Sequence, residues 1–330
     1  MESYFKTIIF VLMIFITACK RDRKPEQTDQ EHKKEIKLHI PDFNADSAYA
    51  YIEKQVSFGP RVPNTSAHKL CAEFLLSKLK QYTPNVREQN FKTRVFDGNT
   101  LIGKNIIASF YPESKGRILL AAHWDSRPFA DHDPDPNMHE TPIVGANDGA
   151  SGVGVLIEIA RQLQINKPNI GVDIIFFDIE DYGEPHDLQT GKVDTWGLGS
   201  QYWSKNPHVV NYQPRYGILL DMIGAKDATF TREAYSMEYA SDIVKKVWDI
   251  GTKIGYSRYF LNNNTGYITD DHYYVNKISR IPMIDIIHIN PENHGFFEHW
   301  HTVNDNMEHI DKNTLKAVGE TVLTVLFLEK

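Results

Sequence analysis

Four apolar runs rich in β-branched residues recur along the chain and decide its fold class. They are RILLAAHWD, VDIIFFDIED, YGILLDMIG and IPMIDIIHI. Their near-continuous apolar character is typical of strands that are buried on both faces. Stretches with helical spacing lie between them, among them SGVGVLIEIARQLQ and EYASDIVKKVWDIGTKIG. The alternation predicts an α/β fold, a three-layer sandwich in which helices flank a central, mostly parallel, twisted mixed sheet.

Two further helices can be placed from their caps. Asp311 precedes a C-terminal helix whose predicted buried stripe is Leu315, Val318, Val322 and Leu326. Ser66 is predicted to cap a helix that buries Cys71 beside the stripe Leu70, Phe74, Leu75 and Leu79. The sequence has no internal repeat and no second boundary. Residues 41–330 are therefore expected to form a single α/β domain.

The N-terminal segment differs from the rest of the chain. Its apolar run is too short to span a bilayer and suits a secretory signal, so residues 1–18 are expected to be a signal peptide. The following Thr-Ala-Cys19 resembles the lipobox of bacterial lipoproteins, in which the cysteine is lipidated. An ordinary signal peptide cut elsewhere is the alternative. Residues 19–40 are charged and predict a lipidated N-terminus with a flexible tether.

Composition narrows the partners and the location. The 330 residues carry a net charge of −7 and no long basic tract, so no nucleic-acid partner is expected. Only two cysteines are present, and lipidation of Cys19 would leave Cys71 without a disulfide partner. The expected partner is a membrane, bound through a lipid anchor at Cys19, and the expected location is the cell envelope, with the lipoprotein facing the periplasm.

Acids and a histidine follow the apolar runs. His123 and Asp125 end the first run, Glu180 and Asp181 end the second, and Asp221 lies in the third. Ligands of open α/β sheets bind beyond the carboxyl ends of the strands. One such acid alone would be read as an exposed loop residue. Their recurrence at three strand ends predicts that they share one crevice.

A glycine-rich turn adds a further carboxylate. In GANDGASGVGVLIEIA, Asp148 lies directly before a predicted helix. A helix-capping aspartate is the simplest interpretation of this residue alone. The turn is not a phosphate-binding loop, because no Gly-Lys-Ser/Thr follows it.

Near the C-terminus, Trp300 directly precedes His301 in a polar loop. A histidine in this position is a metal ligand, a general base or a packed core residue. Together with the carboxylates described above it makes a set that suits zinc, whose catalytic sites usually have three protein ligands and one open position. Glu180 and Asp181 are neighbours, so one can bind the metal while the other acts as general base or acid.

The successive motifs AAHWDSRP, GANDGASGVGVLIEIAR, DIIFFDIEDYG, GILLDMIGA, TDDH and WHTVNDNMEHID resemble those of the M28 zinc aminopeptidases. They are closer still to the glutaminyl cyclase branch of that superfamily and to its bacterial, Bacteroidetes-like members. The resemblance runs from about residue 55 to the C-terminus. It implies a zinc aminopeptidase-like fold and the cyclisation of N-terminal glutamine of peptides or proteins to pyroglutamate, with release of ammonia.

The resemblance also implies roles for individual residues. One Zn²⁺ per chain would be held by Asp148, Asp181 and His301, although many relatives have glutamate at the second of these positions. Catalysis would depend on Glu180 as general acid/base, hydrogen-bonded to Asp221 and Asp271. Trp300 would line the substrate pocket, and Trp196, in an insert, would either reach that pocket or pack elsewhere. Asp285 replaces a histidine of the animal enzymes and is assigned no catalytic role.

Two other functions remain open from the sequence. A dinuclear M28-type aminopeptidase would hold a second zinc with His123, Asp148 and Asp221, and Glu180 would then activate water. A metal-free binding or adhesion protein of the same fold is the third interpretation. The complete set of potential ligands argues against it.

Overall fold

The apolar runs form the centre of a six-stranded mixed sheet. The chain is described by a computed structural model that covers residues 39–185, 187–188 and 190–330. The predicted signal peptide, Cys19 and all but two residues of the predicted tether lie outside these residues. The strands are β1 (Val86–Arg94), β2 (Thr100–Phe110), β3 (Arg117–His123), β4 (Gly171–Phe177), β5 (Tyr216–Asp221), β6 (Phe230–Arg232), β7 (Phe260–Asn264) and β8 (Met283–Ile287).

The large sheet has the strand order β1-β2-β4-β3-β5-β8. Strands β4, β3, β5 and β8 run parallel to one another, whereas β2 is antiparallel to both β1 and β4. Strands β6 and β7 form a separate two-stranded parallel sheet. The four predicted strands are thus the parallel part of the sheet, and their carboxyl ends lie along one edge.

Helices cover both faces of the sheet. They are α1 (Ala45–Val56), α2 (Ser66–Tyr82), α3 (Ala150–Ile165), α4 (Leu198–Lys205), α5 (Ala234–Gly251), α6 (Asp271–Tyr274) and α7 (Lys312–Leu328). Alternate residues of β3 point to opposite faces: Leu120 packs in the core beneath α1, α3 and α7, whereas Leu119 packs with Trp203 of α4. The predicted three-layer α/β sandwich is confirmed.

Of the two predicted helix caps, the structure confirms one and moves the other by one residue. Asp311 caps α7 as predicted, because its side chain accepts a hydrogen bond from the backbone N–H of Thr314 at 3.0 Å. The cap of α2 is Thr65 and not Ser66, since the Thr65 hydroxyl accepts from the N–H of His68 at 3.2 Å. Cys71 is fully buried as predicted, but Leu70 is 48% exposed and lies outside the core stripe.

The described residues, from residue 39 onward, belong to one compact unit. Within the described part of the chain, none of the helices has both the length and the apolar character needed to cross a membrane. The boundaries predicted at residues 18 and 40 stay predictions.

Candidate active site

The strand ends bring the predicted residues together at the carboxyl edge of the parallel strands. His123 is the last residue of β3 and Asp221 the last of β5. Glu180 and Asp181 follow β4, and Asp148 lies in the turn before α3. The capping interpretation of Asp148 is wrong, because Gly149 is the N-cap residue of α3 and no side chain caps this helix. The Asp148 carboxylate is therefore available to the site.

Asp148, Asp181 and His301 form a compact ligand group. The Nε2 atom of His301 lies 3.1 Å from Oδ1 of Asp181 and 3.6 Å from Oδ2 of Asp148. All three side chains are buried. Neither carboxylate oxygen of Asp181 accepts a hydrogen bond within the described residues. A buried carboxylate without such partners is costly unless a cation balances it, so two carboxylates and an imidazole here fit a zinc ion.

His123 lies on the other side of Asp148. Its Nε2 atom is 2.9 Å from Oδ1 of Asp148 and 3.2 Å from Oδ1 of Asp221, and its Nδ1 is 3.5 Å from Oδ1 of Asp125. Although burial opposes it, hydrogen bonds to these three acids raise the pKa of His123 well above its ordinary value. A raised pKa favours the positively charged form of the imidazole between Asp148 and Asp221. His123, Asp148 and Asp221 could also hold a metal ion, because one ligand atom from each lies close enough to the other two.

Glu180 lies in the wall of the cavity among other acids. Burial, followed by the negative charge of Asp270, raises the pKa of Glu180 well above its ordinary value. Burial and the nearby Asp148 raise the pKa of Asp221 to about 7, against the hydrogen bond from His123. Carboxyl groups whose pKa is raised in this way suit general acid-base catalysis.

The predicted partner Asp271 does not line the cavity. Its neighbour Asp270 does, and the side chain of Asp270 caps α6 by accepting from the backbone N–H of Asp271. Asp271 is fully buried as the first residue of α6. The structure therefore places Asp270 in the position expected for Asp271, because the cap residue of a short helix faces the site while the next residue turns inward. The TDDH motif alone does not distinguish these two acids.

Aromatic side chains enclose a cavity of about 290 Å³ beside the ligand group. Trp300 stacks on His301 with ring centroids 3.7 Å apart, and Trp196 lies parallel to the same imidazole at 5.9 Å. Trp196 therefore reaches the pocket. No local sequence pattern identifies the remaining wall residues, which are Met222, Tyr267, Ile268, Thr269, Asp270, Ile287 and Phe296. Only their place in the fold distinguishes them from core or loop residues.

Three bulky residues at the site have a left-handed backbone. They are Ile179 (φ 55°), directly before Glu180, Met222 (φ 47°), directly after Asp221, and His301 (φ 55°). This conformation is unfavourable for side chains with a Cβ and clusters at functional sites. It turns the chain sharply where each strand or loop reaches the cavity.

Two buried aspartates accept hydrogen bonds from the backbone of the loops that carry the predicted ligands. Asp125 accepts hydrogen bonds from the N–H groups of Glu180 and Asp181, both at 3.1 Å. Asp305 accepts from the N–H groups of Asn147 and Asp148 at 2.8 and 2.9 Å. Each carboxylate therefore fixes the loop that carries a predicted ligand. Asp285 lies within β8, outside the cavity wall.

A mixed sheet flanked by helices, with two aspartates and a histidine at its carboxyl edge, fits a metal-dependent enzyme. Residues 105–326 match the model of Peptidase family M28, and the chain belongs to that family. Membership agrees with the predicted resemblance and with the ligand group, and it supports zinc as the metal.

Solved structures of bacterial proteins are similar to this chain over nearly all of its described part. A glutaminyl cyclase of Bacteroides thetaiotaomicron, bound to N-acetylhistamine, is 54% identical with a TM-score of 0.87. A Zn-dependent exopeptidase of Parabacteroides distasonis is 55% identical with the same TM-score. Each comparison covers 88% of this chain and 100% of the other.

An animal relative is more distant. The glutaminyl-peptide cyclotransferase of Boiga irregularis is 30% identical over 260 residues, which cover 68% of this chain and 65% of the relative. The chain thus spans about two thirds of the length of the curated relatives that it matches first.

Proposed function

We propose that this chain converts N-terminal glutamine of peptides or proteins to pyroglutamate and releases ammonia, using one zinc ion held by Asp148, Asp181 and His301. The aromatic cavity beside the ligand group carries the proposal. Its 290 Å³ suits one glutamine side chain folded back on its own α-amine. The similarity to bacterial glutaminyl cyclases supports the same activity.

Cyclisation joins the α-amino nitrogen to the γ-amide carbon and breaks the bond from that carbon to the amide nitrogen. Amides are poor electrophiles, and bound zinc supplies Lewis acidity toward the carbonyl oxygen. Glu180 accepts the proton that the α-amine loses on attack. It then donates a proton to the amide nitrogen, which leaves as ammonia, so the carboxylate returns to its starting state.

The environment of Glu180 fits both halves of this cycle. An α-amine has a pKa of about 8, so a base with an ordinary carboxylate pKa would take its proton poorly. Burial and Asp270 raise the pKa of Glu180, so the pKa of this proton acceptor lies closer to that of the α-amine that donates the proton.

The aromatic walls position the substrate. Trp196, Phe296 and Trp300 bound the cavity on the side of the metal group. Flat apolar walls restrict the side chain to folded conformations and exclude water, which would otherwise compete as nucleophile. A cavity of this size does not accommodate a long stretch of peptide, so residues after the glutamine lie outside it.

The count of one zinc rests on His123. Its Nε2 atom lies 2.9 Å from Oδ1 of Asp148 and 3.2 Å from Oδ1 of Asp221, so the three side chains contact one another directly. The alternative, a dinuclear aminopeptidase, would use the same three residues as ligands. The similarity to a Zn-dependent exopeptidase supports this alternative.

A paired assay distinguishes the two functions. We expect the purified protein with zinc to release ammonia from a Gln-initiated peptide and to leave a Leu-initiated peptide of matched sequence nearly intact. Ammonia release and the free N-terminal residue are measured in parallel, with zinc counted by elemental analysis. One zinc per chain and cyclised product support the cyclase. Two zinc ions and rapid release of leucine would establish the aminopeptidase instead.

We also propose that the exported protein is anchored in the cell envelope through lipid on Cys19 and faces the periplasm. The support is the apolar run followed by Thr-Ala-Cys19. We expect Cys19→Ser to shift the protein from the membrane fraction to the soluble fraction, because the acyl chains supply the attachment. Fractionation with mass spectrometry of the mature N-terminus measures this. A variant that remains in the membrane, with a mature N-terminus elsewhere, would refute the anchor.

A further inference from the structure

The loop after β3 contains a buried arginine–aspartate pair. Arg127 donates from Nε and Nη2 to the two carboxylate oxygens of Asp131, both at 2.6 Å. The Arg127 side chain is 0% exposed and that of Asp131 is 12% exposed. Such a two-pronged contact fixes the orientation of both groups.

The pair touches the ligand group at two points. Oδ1 of Asp131 lies 3.4 Å from Nδ1 of His301, the ring nitrogen that faces away from Asp148 and Asp181. Arg127 Nη1 donates to the backbone carbonyl of Asp181 at 3.0 Å and lies 3.6 Å from its Oδ1 atom. One buried ion pair thus contacts two of the three predicted zinc ligands.

Arg127 also reaches the wall of the cavity. Its guanidinium carbon lies 4.7 Å from the centre of the Trp196 ring, and Nη1 is 3.3 Å from the carbonyl oxygen of Gly183. Trp196 packs directly on Gly183, where an added Cβ would fall 2.0 Å from the indole. The guanidinium therefore supports the indole that lies parallel to His301.

We infer that Arg127 and Asp131 are positioning residues that set the affinity of the zinc site and hold Trp196 over it. The inference rests on the zinc of the proposed function. Zinc requires a free lone pair on Nε2 of His301, which places the ring proton on Nδ1, the atom that lies 3.4 Å from Oδ1 of Asp131. Arg127 keeps Asp131 beside this nitrogen and donates to the backbone carbonyl of Asp181. The assigned ligands alone do not fix these orientations.

The same sheet offers a matched control pair. Arg117, at the opposite end of β3, contacts Asp173 of β4 through Nε at 2.6 Å and through Nη2 at 2.8 Å. Asp173 is buried as well. This pair contacts no residue of the candidate site, because it lies at the amino ends of the parallel strands. Neutralising either aspartate removes the charged partner of its arginine and is expected to lower stability.

The test compares Asp131→Asn with Asp173→Asn in the complete protein. Zinc dissociation constants are measured by competition with a chelator, and thermal unfolding is recorded for both variants. We expect Asp131→Asn to weaken zinc binding by about 10- to 100-fold, and Asp173→Asn to leave it unchanged although both variants melt earlier. Arg127→Lys keeps the positive charge but cannot make both hydrogen bonds to Asp131. It is expected to weaken zinc binding less than Asp131→Asn does.

Equal zinc affinity in Asp131→Asn and the unmodified protein would overturn the inference and leave the proposed function intact. So would a loss of affinity in Asp173→Asn as large as that in Asp131→Asn, because the effect would then follow stability alone. An unmodified protein that binds no zinc would overturn the proposed function, and this inference with it.

Discussion

Replacement of Glu180 with glutamine is expected to lower turnover of a Gln-initiated peptide by about a hundred- to ten-thousandfold while zinc stays bound. The amide has nearly the shape of the carboxylate but takes no proton from the α-amine. Glu180 is not one of the residues that face the metal position, so the ligand group of Asp148, Asp181 and His301 remains complete. The loss is therefore expected in kcat more than in zinc content.

Ammonia release and elemental analysis on the same preparation measure both quantities. Glu184→Gln is a suitable control, since it makes the same chemical change in the same loop but lies outside the wall of the main cavity. It is expected to behave like the unmodified protein. A Glu180→Gln enzyme with near-normal turnover would remove Glu180 from the mechanism.

His301→Ala is expected to lose zinc and activity together. The substitution removes one of three ligands and also the ring on which Trp300 stacks. The Lewis acid contributes several kcal/mol to the reaction, so we expect turnover to fall by about a thousandfold or more. Elemental analysis after dialysis, followed by the ammonia assay with and without added zinc, tests both parts.

Two other histidines provide controls for this result. His299 lies two residues earlier on the same loop, where its ring packs on His309 at 3.9 Å, and His299→Ala should keep its zinc. His123→Ala should also keep one zinc per chain, with some loss of stability because Asp221 loses its partner. A fall from two zinc ions to one in His123→Ala would instead support the dinuclear site.

The sequence predicted those features of the site that follow from local pattern. Buried strands are recognisable from their apolar runs, so the edge that carries His123, Glu180 and Asp221 was predictable. Individual cap residues were harder to predict. Thr65 and Ser66 are both good helix caps, and only the hydrogen bond from the N–H of His68 distinguishes them. Asp270 and Asp271 pose the same problem, since a shift of one residue at the start of α6 decides which acid faces the cavity.

Long-range contacts explain the rest of what the sequence did not reveal. The acids Asp125 and Asp305 fix loops through backbone N–H groups that are distant in sequence, and no spacing rule connects them. The ion pair of Arg127 and Asp131 looks, in sequence, like part of an exposed acidic loop. Its burial depends on Trp196 and His301, which come from two other segments.

Backbone strain is concentrated where the chain delivers its functional side chains. Ile179, Met222 and His301 each hold a left-handed conformation that costs about 1–3 kcal/mol, against a total stability of about 5–15 kcal/mol for an ordinary domain. Engineering for heat resistance often replaces such residues with glycine, which relieves the backbone. Here a glycine would also loosen the geometry needed at the site. Thermal stability and catalytic activity therefore make conflicting demands at these three positions. Stabilising substitutions are better sought in the helical layers far from the carboxyl edge.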